Sequence, residues 1–188
     1  MVAGSSAGGY GTYYGWLVAK SQYMDSDTYI FNDSGTGFWN PDDPTTFQTI
    51  KQAWNLSIPE DCVLCTDTVL TSVYDTYLRY DPRVRIGMFT SYYDAFISGL
   101  FLGMEREAFR SEIMSVTDEI KQLHPDRFNR FFIDTTTHTS YELEWCDVFP
   151  GKDFFLEPGP DYQLDGTSLF QWIGYLVDGD PRWRDLLE

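Results

Sequence analysis

The first nine residues, MVAGSSAGG (1–9), decide the fold, because they predict a strand that turns directly into a helix. Met1 to Gly4 predicts the end of a strand, and Ala7 to Ser21 predicts a helix. The predicted helix carries a stripe of small residues at helical spacing: Gly8, Gly11, Gly15 and Ala19. A stripe without bulky side chains allows a helix to pack closely against a sheet.

Gly4-Ser5-Ser6-Ala7-Gly8 matches the pattern G-x-S-x-G, and its strand–turn–helix context is the one that a nucleophile elbow requires. Such a turn is sharp, needs small neighbours and leaves the serine hydroxyl exposed. We therefore predict that Ser6 is a nucleophile and that the backbone N–H of Ala7 is one donor of an oxyanion hole. The alternative is a turn of small residues that only packs.

Strands and helices alternate along the rest of the chain, which predicts a layered α/β fold in a single domain. Further strands are predicted at Thr28–Asn32, Arg83–Thr90 and, as the final strand, Arg127–Ile133. Helices are predicted at Pro44–Trp54, Thr66–Tyr80, Asp94–Gly103, the amphipathic stretch Phe109 to Leu123, and Thr167–Val177. The turn-rich stretch Pro150 to Asp165 predicts a surface loop.

A serine hydroxyl needs a base, and the chain has only two histidines, His124 and His138. His138 follows the last predicted strand and is favoured as the base, whereas His124 has the position of a polar residue at a helix end. The histidine needs a carboxylate partner. Asp94, just beyond the strand Arg83–Thr90, is favoured, and Asp33 is the alternative. Asp134 lies too near His138 along the chain to be preferred.

The composition excludes several functions. The chain has 13 basic and 29 acidic residues, a net charge of −16, and such a field repels nucleic acid and anionic membranes. No apolar stretch is long enough to span a membrane, and Met1 to Ala7 does not have the pattern of a signal peptide. Aromatic residues form 18% of the chain, and we expect most of them to fill the core rather than to stack on sugars.

The cysteines do not predict a metal site. Cys62 and Cys65 form a single CxxC, and neither histidine has zinc-ligand spacing to it. With Cys146 the count is odd, so structural disulfides or free thiols are the default. No metal or other cofactor is expected, and chelation should leave any activity unchanged.

Four stretches together resemble the pectin acetylesterase family, which includes Notum-type carboxylesterases. They are GSSAGGYGT (4–12), NDSGTGF (32–38), SYYDAFIS (91–98) and THTSYE (137–142), in the order and approximate spacing of the family. The resemblance implies a three-layer α/β-hydrolase fold and a Ser–Asp–His triad made by Ser6, Asp94 and His138. It also implies an acyl ester substrate, such as an acetylated polysaccharide, and favours a secreted or cell-envelope location.

Members of that family have several strands before the elbow, together with a glycine-containing loop that supplies further oxyanion donors. The resemblance therefore implies that residues 1–188 form a domain that lacks its N-terminal strands and that is inactive or nearly so on its own. Two other functions stay open at this point. One is a different α/β-hydrolase activity, such as that of a lipase or peptidase, and the other is a non-catalytic fragment or binding module.

Overall fold

The computed structural model describes residues 1–66, 68–140 and 162–188. Its strands are β1 (Val2–Ser5), β2 (Tyr29–Asp33), β3 (Arg85–Ser91), β4 (Phe128–Ile133), β5 (Gln163–Leu164), β6 (Thr167–Ser168) and β7 (Leu186–Leu187). A parallel sheet contains five of them, in the spatial order β1-β2-β3-β4-β7. The predicted α/β class with a mostly parallel sheet is therefore confirmed.

The helices cover both faces of this sheet. They are α1 (Ala7–Gln22), α2 (Pro44–Ala53), α3 (Val73–Tyr80), a π-helix (Ala95–Phe101), α4 (Arg106–Leu123) and α5 (Leu169–Asp178). Residues of α1, α3 and α4 share one core with strand residues such as Ile30, Met88 and Phe132. On the other face, Phe31 and Phe131 pack with α5. All six residues of β4 are buried, as expected for a strand covered on both faces.

The order of the strands places Ser6, Asp33, Asp94 and His138 at the ends where the strands finish, on one side of the sheet. Strands β1 to β4 lie side by side in chain order and run parallel to one another. The segments that follow these four strands therefore all leave from the same edge. In open α/β sheets this carboxyl edge is where ligands bind.

Glycines allow α1 to pack closely on the sheet and on the loop after β2, but some glycines of the predicted small-residue stripe do not take part. A Cβ on Gly4 would lie 2.1 Å from the Gly8 carbonyl oxygen, and one on Gly35 would lie 2.2 Å from the Gly9 carbonyl carbon. By contrast, a Cβ on Gly8 or Gly11 would meet nothing within 4 Å. The closest approaches are thus made by Gly4, Gly9 and Gly35, and the expectation of a stripe of close contacts is wrong at Gly8 and Gly11.

Three predicted elements differ in the structure. The helix expected over Thr66–Tyr80 begins only at Val73, because Val69 instead bridges to Phe38. The helix expected over Asp94–Gly103 is the π-helix. The strand that ends at Ile133 is not the last one, because the β5–β6 hairpin and β7 follow it. Asp165 and Gly166, both with positive φ, form the turn that closes this hairpin. An Asp-Gly pair is a sequence signal for such a turn, and the prediction of a loop over 150–165 overlooked it. Residues 150–161 of that predicted loop lie outside the described residues.

The largest fully buried side chains are all aromatic, which confirms that much of the aromatic content fills the core. Cys62 and Cys65 form a disulfide with each other, while Cys146 lies outside the described residues. Within the described ranges, no helix is both long enough and apolar enough to cross a membrane.

Candidate active site

Ser6 occupies a strained turn between β1 and α1. Its backbone has φ 55° and ψ −118°, a left-handed value that a non-glycine residue adopts only when its surroundings enforce it. The Ser6 amide donates to the Asp33 carbonyl oxygen at 2.8 Å, and the Ser6 carbonyl accepts from the Tyr10 amide at 3.1 Å. These bonds, with Gly4 packed on Gly8, hold the turn and leave Ser6 only partly buried.

His138 lies five residues beyond β4 and is 4% exposed. Its segment is tied to the end of β3, because the Tyr93 amide donates to the Thr135 carbonyl at 3.1 Å and the Ala95 amide to the Thr136 carbonyl at 3.2 Å. The ring lies between two partners. Its Nε2 is 2.7 Å from Ser6 Oγ, and its Nδ1 is 2.8 Å from Asp94 Oδ2.

Asp94 is fully buried at the start of the π-helix. Its Oδ1 accepts the backbone amides of Phe96 at 3.0 Å and Ile97 at 2.8 Å, which leaves Oδ2 directed at the imidazole. A carboxylate can only accept, so Nδ1 carries the ring proton, and Nε2 is left with a lone pair that faces the Ser6 hydroxyl. This is the tautomer that a general base for serine requires.

Ala7 is an exposed residue at the first position of α1, directly after Ser6. Amides in the first turn of a helix have no acceptor within the helix, and the helix dipole adds partial positive charge there. The place of Ala7 in this first turn is compatible with a role as oxyanion donor, and that role stays a prediction.

Asp33, the alternative acid, also ends a strand at this edge, but its carboxylate has other partners. Ser140 donates to it from its amide at 3.1 Å and from its hydroxyl at 2.5 Å, and the Ser34 hydroxyl donates at 3.2 Å. Burial raises the pKa of the Asp33 carboxyl, and hydrogen bonds from Ser140, Ser5 and Ser34 partly oppose that shift. The carboxylate that meets His138 is that of Asp94, so the structure does not bring Asp33 into the acid position.

The remaining candidates lie elsewhere. His124 precedes β4 and therefore lies at the opposite end of the sheet, where its Nε2 is 2.8 Å from Asp75 and its Nδ1 accepts from Arg127. Asp134 is exposed, and its amide donates to Glu188. In the described part of the chain, no group of three histidine, cysteine or acidic side chains is arranged to hold a metal ion.

Phe96 is a site residue that the sequence analysis did not single out. Its ring stacks on the His138 imidazole with centroids 4.7 Å apart and an interplanar angle of 28°. Phe96 is 36% exposed, so its ring remains partly accessible to solvent while it stacks on the imidazole. Its position two residues after Asp94 was visible in the sequence, but the unusual π-helix that aims the ring at His138 was not.

Neither the protein-family models nor the curated proteins compared with this chain give a match.

Proposed function

We propose that this protein is a serine esterase of the α/β-hydrolase type. The observation that carries the proposal is the continuous chain from Asp94 Oδ2 through His138 to Ser6 Oγ, with links of 2.8 and 2.7 Å. Its nucleophile is held at φ 55° between a strand and a helix. If the turn at Ser6 only packed against its neighbours, there would be no reason for a buried carboxylate and an imidazole to be aligned with the Ser6 hydroxyl.

The geometry supports a two-step acyl transfer. In the first step Ser6 Oγ attacks the ester carbonyl while His138 Nε2 takes the hydroxyl proton. The oxyanion that forms on the substrate accepts from the Ala7 amide. His138 then gives its proton to the leaving alcohol oxygen, the ester C–O bond breaks, and the acyl group remains on Ser6.

In the second step water takes the place of the alcohol. His138 accepts a proton from the water as its oxygen attacks the acyl carbonyl, and then returns that proton to Ser6 Oγ as the acid is released. Asp94 stays ionised throughout and stabilises the imidazolium of each step. No redox change occurs, and no cofactor enters the scheme.

The proposed substrate is an acyl ester, with an acetylated polysaccharide as the first choice. This choice rests on the resemblance of the four sequence stretches to the pectin acetylesterase family. The net charge of −16 does not favour an anionic polysaccharide by long-range attraction, so binding of such a chain would depend on contacts near the site.

Two measurements on the full natural protein test the esterase. We expect hydrolysis of p-nitrophenyl acetate and covalent labelling by a fluorophosphonate, with the adduct mapped to Ser6 rather than to the adjacent Ser5. Ser6→Ala and His138→Ala should each lower turnover by about 10⁴-fold or more, because triad members act as a unit. His124→Gln is the matched histidine control and should retain activity per folded molecule.

The substrate class is tested separately. Acetyl release from acetylated pectin, measured beside hydrolysis of long-chain and peptide substrates, distinguishes an acetylesterase from a lipase or a peptidase. Absence of both labelling and hydrolysis in the folded natural protein would exclude the esterase and favour a binding module.

A further inference from the structure

Asp33 contacts both sides of the candidate site through different atoms. Its backbone carbonyl accepts from the Ser6 amide at 2.8 Å, on the nucleophile side. Its carboxylate accepts from the Ser140 amide and hydroxyl, two residues beyond the histidine. One residue therefore bonds to the turn that carries Ser6 and to the segment that carries His138.

The Asp33 carboxylate is a costly group for a protein to bury. The side chain is about 1% exposed, and its described partners are the neutral donors of Ser5, Ser34 and Ser140 rather than a cation. A carboxylate in such surroundings is stabilised only by hydrogen bonds to its charged form. The donors of Ser140 and Ser34 offset that penalty, and through Ser140 the carboxylate holds the segment that follows His138.

The two ends of the histidine segment are held by different strands. Before His138, Thr135 and Thr136 accept backbone amides from the segment that carries Asp94. After His138, Ser140 is held by Asp33, whose backbone carbonyl also holds Ser6. The bonds before the histidine thus join its segment to the one that carries Asp94, and those after it join the segment to the residue that holds Ser6.

We propose that Asp33 is a positioning residue, which holds Ser140 so that His138 Nε2 stays within proton-transfer distance of Ser6. The inference rests on the proposed esterase function and adds a role that differs from the acid role considered from the sequence. Asp33 does not touch the reacting atoms and acts only through the histidine segment.

The kinetic experiment uses Asp33→Asn, Ser140→Ala and their combination in the full natural protein. A displacement of about 1 Å at a reacting group can cost on the order of 10²-fold in rate. We expect Asp33→Asn to lower kcat for p-nitrophenyl acetate by about 10- to 100-fold, with KM within about twofold, since substrate binding is not altered. Asp33→Asn removes the charge and one acceptor oxygen, and Ser140→Ala removes the hydroxyl donor, so both weaken the same Asp33–Ser140 link. The double variant should therefore lose less activity than the product of the two single losses.

Two further variants separate positioning from a general disturbance. Ser34→Ala removes a donor to the same carboxylate without touching the histidine segment, and it should retain kcat within about threefold. Ser140→Thr keeps the hydroxyl and should restore most of the activity that Ser140→Ala loses. The proposal is overturned if Asp33→Asn keeps full kcat, if its loss only follows the loss of folded protein, or if the Asp33 and Ser140 effects multiply.

A spectroscopic readout decides the inference even if the natural protein hydrolyses no ester. The chain has two histidines, so ¹⁵N-histidine labelling gives two imidazole spin systems, which His138→Asn assigns. We expect Asp33→Asn to keep the Nδ1 proton signal of His138, whose bond to Asp94 remains, and to shift the Nε2 resonance as the contact with Ser6 loosens. The signals of His124 should not move. An unchanged Nε2 resonance of His138 in Asp33→Asn would refute the positioning role, whereas inactivity of the wild type would refute only the esterase.

Discussion

Replacing Asp94 by asparagine should reverse the tautomer of His138. Oδ1 of Asp94 accepts two backbone amides, from Phe96 and Ile97, so the asparagine oxygen must take that position. The asparagine NH₂ group then faces His138 Nδ1 in place of Oδ2. Since that group only donates, Nδ1 must accept, the ring proton moves to Nε2, and Nε2 can no longer take the proton of Ser6.

The size of the effect follows from the loss of the base together with the loss of the charge that stabilises the imidazolium. A wrong tautomer with intact geometry costs about 10⁴-fold in kcat in a serine triad, which corresponds to about 5.4 kcal/mol at 1.36 kcal/mol for each tenfold change. Steady-state hydrolysis of p-nitrophenyl acetate by the natural protein and by Asp94→Asn measures this loss directly. Thermal melting of both proteins ensures that the comparison is made between folded molecules.

Asp134→Asn is the matched control, because Asp134 lies four residues before His138 but is exposed. It should retain activity within about twofold, as expected for a surface substitution. If Asp94→Asn kept more than about a tenth of the wild-type kcat, the assignment of Asp94 as the partner of the base would be wrong. Reduced labelling of Ser6 by a fluorophosphonate in the same variant would provide an independent check.

Two other outcomes are expected. Phe96→Leu should lower kcat/KM by about two- to fivefold, while Phe96→Tyr keeps the stacked ring and the rate, because an aromatic face over an imidazolium contributes about 0.5–1 kcal/mol. Burial raises the pKa of Asp33 above its ordinary value of 3.8, so the folded protein loses stability as the pH rises from about 4 through the raised value. The melting temperature of Asp33→Asn, measured relative to wild type, should therefore increase with pH in that range. A difference that does not change with pH would contradict this.

Local sequence was enough to predict the turn at Ser6, because the requirements of that turn are themselves local. Small residues at Gly4 and Gly8 and a change from strand to helix within a few residues are visible in the printed sequence. The histidine and the acid could be named for a related reason. Parallel strands bring their carboxyl ends to one edge, so polar residues just after Thr90 and Ile133 were expected to meet the serine.

What the sequence did not predict depends on contacts between distant segments. The start of α3 at Val73 is set by pairing of Val69 with Phe38, which no local propensity reports. The short β7 is a strand only because Leu186 and Leu187 pair with β4. Neither pairing has a periodic pattern of its own, and for that reason both escaped the sequence analysis.

Asp33 and Asp94 explain why position alone could not assign the acid. Both follow buried parallel strands, both are buried, and both lie near the histidine segment. The difference lies in which donors reach each carboxylate: backbone amides take one oxygen of Asp94 and aim the other at the imidazole, while Ser140 takes the carboxylate of Asp33. In the proposed mechanism, Asp94 is therefore the carboxylate placed to stabilise the positive charge that forms on His138 in each step. Asp33, bonded to groups whose charge does not change, is suited to keeping a distance constant, so the same side chain at equivalent strand ends can serve two different purposes.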